Sequence, residues 1–399
     1  MPWPTYSVEV AWSGRLTGVF TIGTSTIGGT DLIGGTFGGN VFDTITDDVR
    51  EVHITRGRQS DMEYTTQGKC TLRLKDSNGT YNPENAGSSL ANYLDVMKPV
   101  RVRAVYDGTT YDLFNGYISS IEHEPGRGAQ VSTIEAVDFF EWLQMSKPTI
   151  ATQTNKTVSY LIGLILDAVG LTSSHMRNLS TSHNTVPSWT ADGSATALSL
   201  IEGLLEIDRG VFYVAKDGRA TYVDHGTLYS SAVLATITGA EVGSLRARID
   251  KDQVINGQTV TRTGGVAQTY TDATSRRLRG YREGSSIESA YLATDSQALI
   301  LAKWLVNLLK QPRGTPRRVR LSNKDATNLE QILARELGDV VAIDESVGGT
   351  DVTGHTWQIE HNITSSPRLH ECWWTVQKRQ HMFFTIGRSL IGGTDVIGY

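Results

Sequence analysis

Cysteine occurs only twice in 399 residues, as Cys70 and Cys372. Two thiols cannot build a disulfide framework or close an all-cysteine metal site. Each sits in a strand-like run, KCTLRL or ECWWTV, where a small buried hydrophobe is the ordinary reading. Long apolar stretches are missing as well. YLIGLILDAVGL and ALILAKWLVNLL fall short of a membrane span, and the second carries Lys303. No basic, apolar and small-residue succession marks an N-terminal signal peptide. These absences predict a soluble chain, made in a reducing compartment, with no stable membrane association. A basic balance is lacking too: the net charge is −5, which disfavours a protein that coats nucleic acid generically.

Catalytic motifs are equally scarce. The chain has no G-x-x-x-x-G-K-[ST], no G-x-G-x-x-G after a strand, no H-E-x-x-H and no G-x-S-x-G. Ser25 in GTSTIG and Ser389 in GRSLIG miss the second glycine by one place. The histidines are scattered. His355 and His361, six apart in a strand region, share a face, but zinc needs two more ligands, so satisfied surface histidines are expected. His123–Glu124 and His370–Glu371 are adjacent pairs of the kind that arise by chance. DSNGTYNPE begins like a calcium loop with Asp76, Asn78 and Thr80, yet position six is Tyr81 and position twelve is Gly87. A strand-connecting loop is expected there. No catalytic, cofactor or metal constellation stands out, so the expectation is a protein that is not an enzyme.

What the chain has in excess is glycine, 40 residues, and much of it is local. Residues 20–35 read FTIGTSTIGGTDLIGG and residues 384–399 read FTIGRSLIGGTDVIGY, so the chain repeats itself near its two ends. Two copies are too few for a solenoid. The apolar positions are Phe20, Ile22, Ile27, Leu32 and Ile33 in one copy. Phe384, Ile386, Ile391, Val396 and Ile397 match them in the other. Glycine pairs interrupt any long regular element, and Asp31 and Asp395 suit tight turns. Each copy reads as an extended arm or short hairpin that must pack on something, either its own domain or a partner.

Between the arms the chain changes character twice. Residues 45–146 carry short runs separated by turn residues: EVHITRGR, KCTLRLKD, VRVRAVYD, YDLFNGYISSIEHE and VSTIEAVDFFEWL. Val100, Val102, Ala104 and Tyr106 alternate with Arg101 and Arg103, and Asp107-Gly108 reads as a hairpin turn. Two helices follow. TVSYLIGLILDAVGL carries Leu161, Leu164, Ile165 and Ala168 on one face and Gly170 as a stop. SATALSLIEGLLEID has Ser194 as N-cap and Leu198, Ile201, Leu204 and Leu205 on one face. VFYVAKDGRATYV then gives strand, Asp217-Gly218 turn and strand. Residues 241–380 return to strands, with one long helix near 295–311. Thr294 and Gln297 fit a capping box there, Pro312 ends it, and Leu301, Leu305, Leu308 and Leu309 form its stripe. Trp357, Ile359, Trp374 and Val376 fall on core faces. Charge is uneven. From Arg246 to Arg320 basic residues dominate, among them Arg276, Arg277, Arg279 and Arg282, so the rest of the chain is acidic. That division suits complementary self-association, a partner of opposite sign, or a solvated strand face with local ion pairs. A grip on DNA is weaker, because base-stacking aromatics are not interleaved with these arginines.

The order ITRGR (54–58), GKCTLRLKDSNGTYNPENAGSSL (68–90), MKPVRVRAVYDGTTYDLFNGYISSIEHEP (97–125) and EAVDFFEWL (135–143) resembles minor tail proteins of long-tailed bacteriophages. More narrowly it resembles their baseplate or tail-tip hub proteins. FYVAKDGRATYVDHG (212–226), ELGDVVAID (336–344) and the terminal arm extend the likeness over roughly 45–399. Its motifs are strand-and-turn signatures.

The resemblance implies a homotrimeric hub that adapts a hexameric tail tube to a trimeric fibre or spike and lines the DNA channel. Its implied partners are the distal tail or tube protein, the tape measure protein and a tail fibre, with double-stranded DNA only in transit. Its location would be the virion tail tip, assembled in the bacterial cytoplasm. The chain stops at Tyr399 and shows no fused hydrolase or receptor-binding extension, so host recognition is expected in a separate protein.

The fold expected is mainly β with an α+β insert. Residues 1–150 form a first tube-like β-barrel or sandwich domain with a Gly-rich arm at 14–44. Residues 151–240 form a small α+β domain, 241–380 a second tube-like β domain with one long helix, and 381–399 a C-terminal arm. Each arm would accompany one β domain, giving six near-equivalent arms in a trimer. The alternatives are a hexameric distal tail adaptor and a carbohydrate-binding receptor module using Trp357, Trp373 and Trp374.

Overall fold

The structure, a computed structural model, describes residues 3–12, 41–61, 63–126, 130–238, 254–311, 317–324, 326–344 and 352–378. The first β segment comprises β1 (Thr5–Val10), β2 (Asp43–Thr44), β3 (Val49–Gly57), β4 (Thr66–Lys75), β5 (Pro99–Tyr106), β6 (Thr109–Glu124) and β7 (Val131–Val137). In β5 the alternation holds: Val100, Val102 and Ala104 are buried, while Arg101 and Arg103 face outward and both reach Glu9 on β1. Asp107 and Gly108 both take positive φ, 48° and 73°, as a right-twisted two-residue hairpin requires.

The run VSTIEAVDFFEWL does not stay extended. β7 ends at Val137, and Phe140–Met145 is a short helix, α1. The buried Asp138 carboxylate causes the switch. It accepts the Gly68 N–H at 2.7 Å and the Phe140 N–H at 3.0 Å, so it ends the ladder and starts the helix.

Next come β8 (Thr149–Thr157), α2 (Val158–Ala168), β9 (Arg177–Leu179), β10 (Thr185–Asp192), α3 (Ala197–Asp208), β11 (Val211–Val214), β12 (Ala220–Val223) and α4 (His225–Ser230). α2 is capped by Thr157, buries Leu161 and Ile165 with Ile162 and Leu166, and stops before Gly170 at φ 93°. The N-cap of α3 is Thr196 rather than Ser194, whose hydroxyl is drawn to Asp192 at 2.5 Å. Apart from α4, whose Leu228 and Tyr229 pack in the core of the later strands, these elements and the helix described next share one core, with Trp189, Leu204, Phe212 and Leu305 in it.

The last part holds β13 (Val233–Thr238), β14 (Gly257–Arg262), β15 (Gln268–Thr271), α5 (Ala273–Arg279), β16 (Ile287–Ser289), α6 (Asp295–Leu309), β17 (Arg317–Ser322), α7 (Ala326–Ala334), β18 (Val340–Asp344), β19 (Val352–Thr364) and β20 (Leu369–Lys378). The Thr294 hydroxyl caps α6 by accepting the Gln297 N–H, and Gln297 reaches back to the Ala293 N–H, one residue above the expected partner. Leu301, Leu305, Leu308 and Leu309 are all buried. Pro312 lies outside the described residues.

Strand exceeds helix, and the fold is mainly β. Its largest sheet has twelve strands in the order β13-β18-β19-β3-β4-β7-β6-β5-β1-β2, with β20 beside β19 and β17 beside β20. The order has two ends, so no closed barrel forms among the described residues. The β19–β3 pairing, from Gln358↔Gly57 to Thr364↔Glu51, joins the early and late β segments in one sheet. Smaller sheets are β8–β10, β9–β12–β11 and β15–β14–β16.

Candidate functional site

The ten apolar arm residues, Phe20, Ile22, Ile27, Leu32, Ile33, Phe384, Ile386, Ile391, Val396 and Ile397, lie outside the described residues. The points from which the first arm springs are described. Val10 pairs with Asp43 and Glu9 with Thr44, so the chain leaves and re-enters the sheet at adjacent positions. Trp12 on the departing side is buried, and Val41 on the returning side is 71% exposed.

Histidines that invited chemistry serve structure instead. His123 lies in hydrogen-bond contact with Ser132 and 3.2 Å from Asp76. Asp76 also accepts the Thr80 and Tyr81 N–H groups and the Ser132 hydroxyl, so the DSNGTYNPE loop fills its own carboxylate. His370 and Glu371 point to opposite faces of β20: His370 is buried, and Glu371 pairs with Arg320 on β17. His355 and His361 are not surface residues; both are 2% exposed. The pairing skips a residue between Thr356 and Gln358, which breaks the alternation that would have put them on one face. His355 stacks on Trp357, and His361 contacts His370 at 2.9 Å. Among the described residues no group of three or more His, Cys, Asp or Glu is placed to hold a metal.

Trp357 and Trp374 are buried at 2% and 0%. They are core, as expected, and are not available to stack sugars. Trp373 is half-buried beneath the Arg318 guanidinium. Cys70 and Cys372 are both buried and free, and burial pushes both thiols up in pKa. Among the described residues no helix is long and apolar enough to cross a membrane.

Sequence patterns did not point to the polar joint where the β11–β12 hairpin enters the large sheet. Lys216, at the hairpin tip, donates to the Leu333, Ala334 and Arg335 carbonyls at 2.8, 2.8 and 3.2 Å, capping α7. Its backbone N–H goes to Glu336, which also takes Arg56 Nη1 of β3 at 2.8 Å. Burial opposes ionisation of Glu336. Arg56, Lys216 and two backbone donors outweigh it and hold the carboxyl below its ordinary pKa. Burial lowers Lys216 despite Glu336 nearby. Asn115 of β6 donates to the Lys216 carbonyl, closing the joint from the other side. A lone Lys-Asp-Gly hairpin and a lone ITRGR run carry no signal that they meet.

Strand β13 ends the large sheet with Val233 and Leu234 at 45% and 53% exposure. In the basic 246–320 segment, Arg262 pairs with Asp295, Lys310 with Asp272, Arg318 with Glu360 and Arg320 with Glu371. Strand-face ion pairing therefore accounts for part of that charge.

This arrangement of sheets and insert recurs in solved structures. The tail protein of Neisseria meningitidis MC58 superimposes with a TM-score of 0.60 at 11% identity, over 93% of this chain and 96% of that one. The 43 kDa tail protein of prophage MuSo2 from Shewanella oneidensis gives 0.59 at 13% identity, over 86% and 97%. The chain has the fold of these tail proteins. No family model matches it, and no curated protein matches it.

Proposed function

We propose that the chain is a structural component of a phage tail that acts by assembly rather than turnover. The observation that carries this is the likeness to two tail proteins along nearly the whole length of each. Among the described residues the His361–His370 contact, the two buried thiols and the buried Trp357 and Trp374 are taken up in packing, which supports the same reading.

More specifically, it is a tail-tip hub in which three copies join a six-fold tube to a three-fold fibre or spike around the DNA path. Residues 1–150 and 241–380 supply the two tube-like domains, 151–240 the insert, and 14–44 and 381–399 the arms. Distal tail, tape measure and fibre proteins are its partners, and it assembles in the bacterial cytoplasm into the virion. Imaging virions with and without the chain tests this. Loss of density at the tail tip is expected, and an intact tip without the chain would overturn it. Native mass adds the stoichiometry: about three times 43.6 kDa on the hub reading, six copies if it is a distal adaptor.

A further inference from the structure

Helix α3 ends on an arginine in a backbone conformation that suits glycine. Arg209 is its C-cap, at φ 58° and ψ 20°, and the Arg209 N–H closes the helix on the Leu205 carbonyl at 2.7 Å. Left-handed backbone strains any residue with a Cβ, and helices commonly place glycine or asparagine there instead. A long side chain held at such a place points to a use for that side chain. The Arg209 guanidinium lies 5.7 Å from the centre of the Trp304 ring on α6, and its Nε is buried without a hydrogen-bond partner among the described residues. Burial disfavours the charge, and Tyr64 and Glu206 oppose that effect. Among the described residues no carboxylate, Glu206 included, comes within ion-pair distance of Arg209.

Arg209 and Trp304 line a pocket of about 320 Å³ where the end of α3 meets α6. Small-molecule sites measure roughly 300–1,000 Å³ and favour such junctions between structural units. Ile207, Leu292 and Leu301 give the pocket an apolar wall. Its polar side is rich in donors. A guanidinium and an indole N–H can only donate. Gln297 also lines the pocket, and its Oε1 already accepts the Ala293 N–H at 2.7 Å, which leaves its amide N–H groups. His225 packs edge-on against Trp304 with ring centres 6.2 Å apart and helps to hold that ring. Asp208 is the one carboxylate in the lining, and it is 1% exposed. Its oxygens accept from Ser182 at 2.8 Å, from Asn184 at 3.0 Å and from Tyr222, so its charge is satisfied within the insert.

We propose that this pocket binds a small carboxylic acid, as its carboxylate, on an apolar stem. Arg209 is the principal donor, because its planar fork suits two parallel bonds to one carboxylate. Gln297 and Trp304 add donors, and Ile207, Leu292 and Leu301 enclose the stem. A carboxylate brings acceptors alone and so matches a wall of donors. A purely apolar occupant would leave the buried Arg209 Nε without a partner, which carries a desolvation cost. The site lies within one copy of the chain and does not depend on how many copies assemble.

The test follows the indole N–H resonances of the full chain as isocaproate or phenylacetate is added, with Trp304→Phe identifying the Trp304 signal. A saturable shift of that signal is expected for the acids. Isocaproamide and isoamylamine are expected to bind about tenfold or more weakly, because neither makes the charge-assisted bonds to Arg209. Arg209→Gly is expected to weaken acid binding by about tenfold or more. Its melting temperature is expected to stay at the parent's or rise, since glycine takes that φ without strain. Arg209→Lys keeps the charge, loses the fork and is expected to lie between the two. No saturable shift in the parent would overturn the proposal, and with a lower melting temperature in Arg209→Gly it would make Arg209 a cover for Trp304. Equal affinity of parent and Arg209→Gly for the acids would overturn it too. Tighter binding of the amine would hand the pocket to Asp208 instead. A capped Leu-Asp-Leu peptide that binds where the free acids do not would make the pocket a docking point for a partner segment and overturn the small-molecule assignment.

Discussion

His370 is completely buried with no carboxylate paired to it among the described residues, and it holds its hydrogen bonds as a neutral ring. Tyr6 lies 2.7 Å from Nδ1 and His361 2.9 Å from Nε2. A tyrosine hydroxyl donating to Nδ1, and Nε2–H donating to His361 Nδ1, satisfies both contacts without any charge. Burial pushes His370 down to about 3, and His361 is lowered by burial and by His370, Arg56, Lys216 and His53. The folded state therefore refuses protons that the unfolded chain accepts below its ordinary value of about 6.5. Stability is present above that value and falls as pH drops from there toward 3, by up to ~1.4 kcal/mol per pH unit for His370, with His361 adding in the same direction. Asp138 has the opposite sign. Burial raises it to about 7, so its contribution is present at low pH and fades as pH rises from about 4 through 7. Urea unfolding of the parent and of His370→Gln at pH 7.5, 6 and 5 separates the two. The substitution is expected to flatten the acid loss, and identical slopes would refute the assignment. The Arg56–Lys216–Glu336 joint is the second test at this scale. Lys216→Met leaves three carbonyls without their side-chain donor and Glu336 without one of its nearby cations, while the backbone N–H to Glu336 stays, at a cost of about 3 kcal/mol. Adding Glu336→Gln is expected to cost less than the sum of the two, because one buried charge no longer faces an empty place.

At the scale of elements, the β3–β19 seam ties the early and late β segments together, and Gly57 is its tightest point. Its φ is 108°, and a Cβ there would sit 2.1 Å from the Trp357 carbonyl oxygen. Gly57→Ala is expected to cost at least about 2 kcal/mol, read as a lower denaturation midpoint. An unshifted midpoint would mean the seam is not held by that close approach. This seam was not legible in sequence. ITRGR and TWQIEHNI are each plain as strands, but hydrophobic alternation says which face is buried and not which distant strand lies alongside. What was legible followed from repeated local signals: the alternation in β5, the Asp107-Gly108 turn, and the leucine stripe and threonine cap of α6. What was missed had weak or misleading local signals. The polar β8, TIATQTNKT, has few apolar residues to alternate. α1 follows β7 in one apolar run and is turned by a single buried aspartate. α7 is only nine residues long and owes its place to Leu329, Ile332 and Leu333 packing under the sheets.

At the scale of the whole molecule the repeat at residues 20–35 and 384–399 remains the strongest signature in the sequence. Twelve of its sixteen positions are identical. A chain under no constraint there would not keep glycine pairs and isoleucines in the same places. The pairing of β1 with β2 holds the two ends of the first excursion side by side, so a long insertion costs little in closure and leaves the sheet undisturbed. A segment that orders on a partner loses conformational entropy, and isoleucines are apolar enough to offset that loss if the partner buries them. On the proposed hub reading, three copies with two arms each would give six similar grips, which would match a six-fold ring without requiring the hub itself to be hexameric. Deletion of 384–399 is therefore expected to leave the fold and its melting temperature unchanged while assembly onto isolated tail tubes falls by about tenfold or more. Ile386→Ser with Ile391→Ser is expected to reproduce most of that loss, because the glycines alone supply no apolar area. Assembly that proceeds unchanged after the deletion would sink the six-grip account and leave the arm as an ornament of its own domain.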